Sequence, residues 1–112
     1  REYFMPYTKL RAQTDRVARI LKAVANARRL SILCELANGE QSVTELQEAI
    51  GISQSALSQH LARLRRDKLV VTRRDAQNIY YSIEANYLPD LLDSLDQLIA
   101  EGSGSGEMRN TA

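Results

Sequence analysis

The chain has 112 residues, 44% of them hydrophobic and 26% charged, with a formal net charge of +1, which fits one small globular domain. No apolar run is long enough to cross a bilayer and no signal-peptide pattern opens the chain, so no membrane role is expected. One cysteine, Cys34, excludes an internal disulfide framework and points to a reducing, cytoplasmic setting.

The aromatic start, Tyr3-Phe4-Met5-Pro6-Tyr7, is compatible with packing on the domain or with an unstructured lead. Val17, Ile20, Leu21 and Val24 then recur at helical spacing, predicting an amphipathic helix from about Thr14 to Ala25. Asn26 is placed to cap a second helix through Leu30, Leu33 and Leu36, which Gly39 ends. Ser42-Val43-Thr44-Glu45 is a capping box, predicting a short helix from Val43 to Ile50. Gly51-Ile52-Ser53 breaks it, and Ser53 can cap a fourth helix reaching about Asp67.

Beyond this the period changes from helix to strand. Leu69-Val70-Val71-Thr72-Arg73-Arg74 and Asn78-Ile79-Tyr80-Tyr81-Ser82-Ile83 are rich in β-branched and aromatic residues, and the polar Asp75-Ala76-Gln77 joins them into a hairpin. Pro89 suits the first turn of a last helix, whose apolar stripe is Leu88, Leu91, Leu92, Leu95, Leu98 and Ile99. Gly102-Ser103-Gly104-Ser105-Gly106 is expected to end it. The expected fold is therefore mainly α with a β-hairpin wing, a winged helix-turn-helix in the order α-α-α-α-β-β-α. Residues 1–13 form an N-terminal extension, 14–101 the domain and 102–112 a flexible tail.

Charge is segregated along the chain. Residues 1–30 carry eight bases and two acids, whereas 31–53 carry four acids and no base. Residues 54–75 hold Arg63, Arg65, Arg66, Lys68, Arg73 and Arg74 against Asp67 and Asp75, and 84–101 hold five acids and no base. A basic segment between acidic ones suits a local phosphate-binding surface, though a solvated helix face would look the same.

The short capped helix, glycine turn and longer helix form a helix-turn-helix candidate, and the basic hairpin supplies its wing. At about 100° per residue, Leu57, Leu61 and Leu64 fall on one stripe of the longer helix, and Gln54, Ser55, Ser58, Gln59, Ala62 and Arg66 fall opposite. Gln can bond adenine in a bidentate manner, Ser bonds several base edges, and Ala62 lets a groove wall approach. An ordinary solvated surface would carry Lys and Glu, which are absent from 54–62. The candidate DNA-binding residues are Ser53, Gln54, Ser55, Ser58, Gln59, Arg63, Arg73, Arg74 and Gln77, with Arg73 and Arg74 directed at the backbone. His60 lies nearer the leucine stripe, so a hydrogen-bonded, partly buried role is expected rather than a metal ligand. No catalytic residues, metal site or cofactor are expected: there is no Cys/His pair close in sequence and no glycine-rich phosphate loop. A protein-binding module on the same fold remains the alternative.

Leu21-Lys22-Ala23-Val24-Ala25-Asn26-Ala27-Arg28-Arg29-Leu30 and Ser53-Gln54-Ser55-Ala56-Leu57-Ser58-Gln59-His60-Leu61-Ala62-Arg63-Leu64-Arg65 resemble the ArsR/SmtB family of repressors. The run from Arg73 to Ile83 is most similar to the subgroup of BigR, SqrR and HlyU, and the resemblance covers roughly residues 14–101. It implies a homodimeric, DNA-binding repressor whose outer helices form the interface and whose operator affinity an inducer lowers. The expected interface residues are Val17, Leu21, Leu91, Leu95 and Leu98, with Arg16, Arg19 and Lys22 on one helix and Asp90, Asp93 and Asp96 on the other.

The chain departs from the metal-sensing members, which have a cysteine box where Gln41-Ser42-Val43-Thr44-Glu45 stands and histidines on the last helix. Zinc or arsenic sensing is therefore not expected, and the alternative to thiol sensing is a family regulator that answers another signal such as a metal, or is constitutive without a small-molecule inducer. The resemblance instead implies persulfide or oxidant sensing through two thiols, the first at Cys34 and the second at the place of Ala100. No bridge can close within this chain. For Cys34 itself, a buried small apolar residue and a thiol sensor are both open readings.

Overall fold

The structure, a computed structural model, describes residues 5–105. Its elements are α1 Thr8–Ala12, α2 Thr14–Val24, α3 Ala27–Leu36, β1 Gln41–Ser42, α4 Val43–Ile50, α5 Gln54–Arg66, β2 Val70–Asp75, β3 Asn78–Ile83 and α6 Leu88–Ser105. Residues 1–4 and 106–112, including most of the aromatic start and the end of the expected tail, lie outside the described residues.

The caps act as the sequence predicts. Asn26 Oδ1 accepts the Arg29 N–H at 3.0 Å and starts α3. Ser42 Oγ accepts the Glu45 N–H at 3.1 Å while Glu45 Oε1 accepts the Ser42 N–H at 2.8 Å, which closes the capping box of α4. Gly51, at φ +76°, ends α4 by donating to the Gln47 carbonyl at 2.8 Å. The end of α5 is a Schellman turn: Leu69 N–H reaches the Leu64 carbonyl at 2.9 Å and Lys68 N–H reaches the Arg65 carbonyl at 3.0 Å. Lys68 occupies the left-handed position at φ +62°, where glycine is usual.

The core is one cluster. Ile32, Leu33, Leu36, Leu46, Leu57, Leu61, Leu64, Leu69, Val70 and Leu88 are all buried, with Ala23 and Val24 from the end of α2. α3 lies at its centre and packs on α2, α4, α5 and β3. Burying each of these leucines and isoleucines stabilises the fold by roughly 1.5–3 kcal/mol. Among the described residues no buried side-chain nitrogen or oxygen lacks a partner.

The structure adds detail to the expected elements in four places. A short helix, α1, precedes the expected first helix; it buries no residue and so leaves no apolar period to read. The hairpin belongs to a three-stranded antiparallel sheet of order β1-β3-β2, because Gln41 and Ser42 pair with Tyr81 and Tyr80. Two residues are too short to show strand alternation. Asp75 pairs with Asn78 and is the last residue of β2, so only Ala76 and Gln77 form the tip, with Ala76 at φ +58°. Finally, α6 runs through Gly102, which is buried, to Ser105, inside the 102–106 segment expected to end it but past the expected domain boundary at 101. Each glycine costs a helix about 1 kcal/mol, but propagating an existing helix needs no new nucleus.

Candidate nucleic-acid interface

α4, the Gly51 turn and α5 bring the two halves of the helix-turn-helix together, both packed on α3. Leu57, Leu61 and Leu64 are buried, while Gln54, Ser55, Ser58, Gln59 and Ala62 are exposed on the other side of α5. Ser53 serves first as the N-cap: its Oγ accepts the Ala56 N–H at 3.2 Å and lies 3.4 Å from Ser55 Oγ. Ser58 and Ala62 line a groove with Arg65, Arg66, Val43 and Tyr81, so the sheet forms one wall beside the exposed face of α5.

Arg63 is placed differently from its expected neighbours. It is half-buried and donates to Asp67 Oδ2 at 2.9 Å, a pair one helical turn apart that runs along α5. Arg65 and Arg66, not among the expected site residues, instead border the groove.

The two wing arginines also part company. Strand residues alternate faces, and the register places Arg74 opposite Ile79, on the face shared by Thr72, Tyr81 and the buried Val70. This is the face that turns Tyr81 toward α5. Arg73 pairs with Tyr80 on the other face. There its Nη2 and Nε donate to the Glu40 carboxylate at 2.7 and 3.0 Å, and its guanidinium lies 4.7 Å from the centre of the Tyr80 ring. The hydrogen bond from Arg73 holds the Glu40 carboxyl below its ordinary range, and the same bond raises the Arg73 pKa. Arg74 makes no ion pair with the described residues, and Gln77 is exposed at the tip.

Cys34 is exposed, contrary to the buried apolar reading. It faces a groove of about 640 Å³ between α3, α4 and α6 that includes Leu30, Ile50, Leu92, Leu95, Asp96 and Ile99. Ala100 is the next residue on α6 and is also exposed. Among the described residues no group of three or more His, Cys, Asp or Glu side chains is placed to hold a metal, and no helix is long and apolar enough to cross a membrane.

Of the expected interface residues, Leu21 and Leu98 are 50% and 53% exposed in the protomer, and Val17 is half-buried. Leu91 packs against the core and Leu95 lies in the Cys34 groove, so these two already have contacts within the chain. Ile99, at 55% exposure, extends the uncovered apolar face of α6.

A capped helix-turn-helix with a basic hairpin folded beside its second helix defines a winged helix-turn-helix DNA-binding domain. Residues 26–71 match the family described as bacterial regulatory protein, arsR family. The transcriptional activator HlyU of Vibrio cholerae is 41% identical over 107 residues, covering 88% of this chain and 99% of HlyU. The chain therefore belongs to the ArsR family and is a transcriptional regulator rather than an enzyme. Solved structures agree. Reduced HlyU from Vibrio cholerae superposes with a TM-score of 0.74 at 44% identity, covering 80% of this chain and 95% of that one. The transcriptional repressor BigR from Xylella fastidiosa gives 0.79 at 35%, covering 84% and 96%. A homodimeric winged helix-turn-helix domain from Mycobacterium bovis, solved in solution, gives 0.69 at 35%, covering 89% and 92%.

Proposed function

We propose that the chain is a homodimeric, sequence-specific repressor in which α5 reads operator bases and the wing holds the flanking backbone. The exposed face of α5 carries this reading: Gln54, Ser55, Ser58 and Gln59 share it with Ala62, with no Lys or Glu among them, opposite a buried leucine stripe. Such side chains read base edges, and their short or neutral character leaves the groove wall uncrowded. Arg74 and Gln77 on the wing, with Arg65 and Arg66 beside the groove, supply backbone contacts. The exposed Leu21, Leu98 and Ile99 favour pairing of α2 and α6 with those of a second copy, as does the homodimeric relative.

The inducer in this reading is a reactive sulfur species or oxidant acting on thiols. Its support is the exposure of Cys34 beside α6 and the description of solved HlyU as reduced. With Ala100 in place of a second thiol, Cys34 can be persulfidated or oxidised but cannot be bridged to α6. The present chain should therefore hold its operator through polysulfide treatment, whereas Ala100→Cys should release it reversibly. A gel shift against the upstream region of its own operon, before and after polysulfide, tests both statements. Mass spectrometry of the treated variant should show the two positions linked. Loss of DNA by the unsubstituted chain would defeat the bridge and leave Cys34 modification alone as the signal.

A further inference from the structure

Arg29, in the first turn of α3, makes contacts that neither base reading nor thiol chemistry uses. Its backbone N–H is held by Asn26, and its Nε donates to the Ala23 carbonyl and its Nη2 to the Lys22 carbonyl at 3.2 Å. Both carbonyls belong to the last turn of α2, where a helix leaves its acceptors unpaired and its dipole favours a cation. The remaining nitrogen, Nη1, lies 3.5 Å from Nδ1 of His60. His60 is half-buried on α5, between the leucine stripe and the reading face. One guanidinium thus joins the end of α2, the start of α3 and the middle of α5.

We propose that Arg29 and His60 form a positioning junction that fixes the recognition helix against the end of α2, and that protonation of His60 opens it. The inference rests on the dimeric DNA-reading function, because α2 carries Leu21 toward the expected partner and α5 carries the reading side chains. The offset between interface and reading head is then set where these two helices are tied. His60 Nδ1 accepts from Arg29 only when the ring is neutral with its proton on Nε2. The charges around the ring are mostly positive. Arg29 and Arg28 face it from α3, and Arg63 on α5 lies near Arg29. The nearby acid, Asp67, is already bonded to Arg63 at 2.9 Å. A proton on the imidazole would remove the acceptor and add a cation to a cationic site. Burial first, then Arg29 and Arg28, hold the His60 pKa below its ordinary value, so the junction is closed at neutral pH. As pH falls below about 6.5 the unfolded chain takes this proton before the folded one, so acid destabilises the junction.

His60 is the only histidine of the chain, so its ring resonances titrate without overlap in NMR spectra of the whole protein. The titration midpoint should lie below about 6.5 and should rise in Arg29→Met. Operator affinity of the unsubstituted chain should drop roughly tenfold as the pH is taken through that midpoint. His60→Asn keeps an acceptor that does not titrate, and should bind as the parent does at neutral pH without the acid loss. His60→Leu should bind weakly at both pH values. An unmoved midpoint in Arg29→Met, or an acid loss in His60→Asn as steep as the parent's, overturns the junction. If the parent bound no duplex at neutral pH, the DNA-reading function would fail instead, and the NMR titration would still decide the Arg29–His60 contact.

Discussion

The wing offers a quantitative test, because its two adjacent arginines face different partners. Arg73 gives two hydrogen bonds to Glu40, at 2.7 and 3.0 Å, and stacks over Tyr80, whereas Arg74 makes no ion pair with the described residues. A DNA phosphate approaching Arg73 must displace a carboxylate already in bidentate geometry, exchanging one anion for another. A phosphate approaching Arg74 displaces only mobile counterions. Each phosphate neutralised in the latter way contributes about 0.9 to the slope of log K against log salt. Arg74→Ala should therefore flatten the slope by about 0.9, so that a fourfold rise in salt costs the variant roughly three- to fourfold less affinity than the parent. Arg73→Ala should leave the slope near that of the parent. Glu40→Gln, which removes the competing charge, should steepen it by up to about 0.9 and tighten binding at low salt. Fluorescence anisotropy with operator and random duplexes over a salt series measures all three. If Arg73→Ala flattened the slope as much as Arg74→Ala while Glu40→Gln changed nothing, the ion pair would be opening freely on DNA and the assignment would be wrong.

Other substitutions separate reading, association and stability. Gln54→Ala should weaken operator binding by about 1–3 kcal/mol with little change on random DNA, a difference that competition assays resolve. Leu98→Glu alters a side chain already 53% exposed in the protomer, so circular dichroism should show an intact fold while sedimentation shows association weakened about tenfold or more. An unchanged dimer would remove α6 from the interface. Lys68→Gly relieves a side chain held at φ +62° in the Schellman turn and should stabilise the protein by roughly 1 kcal/mol in thermal unfolding, less the entropy glycine adds to the unfolded chain.

The local grammar of the helices was legible in the sequence. Asn26, Ser42, Glu45 and Ser53 each bond the backbone within three residues, so their caps follow from composition alone, and α4 runs from Val43 to Ile50 as expected. The pair between Arg63 and Asp67 also had a signal, the spacing of one helical turn. So did the division of labour in the wing: strand alternation puts Arg74 on the side of Val70 and Arg73 on the other. What could not be read were contacts between distant segments. Glu40 meets Arg73 across 33 residues and Arg29 meets His60 across 31, and neither partner carries a local mark of the other. β1 was hidden for the same reason, since its two residues are a strand only because β3 lies beside them.

These distant contacts converge on α3 and the loop that follows it. Arg29 at its start reaches α2 and α5, Cys34 in its last turn faces α6, and past its end Gln41 donates back to the Glu35 carbonyl at 3.0 Å while Glu40 holds the wing. A signal delivered to α3 is therefore close to both α5 and the wing, but proximity alone shifts no equilibrium. A chemical change acts on DNA affinity only as far as it favours one arrangement of the dimer over the other. One added sulfur on Cys34 is small against a groove of about 640 Å³ and can be accommodated with α6 unmoved. A bridge from Cys34 to the place of Ala100 has a fixed length and must draw α6 to α3, or hold it away. On these grounds the proposed thiol switch requires a second thiol at the place of Ala100, and the reactivity of Cys34 alone would not supply it.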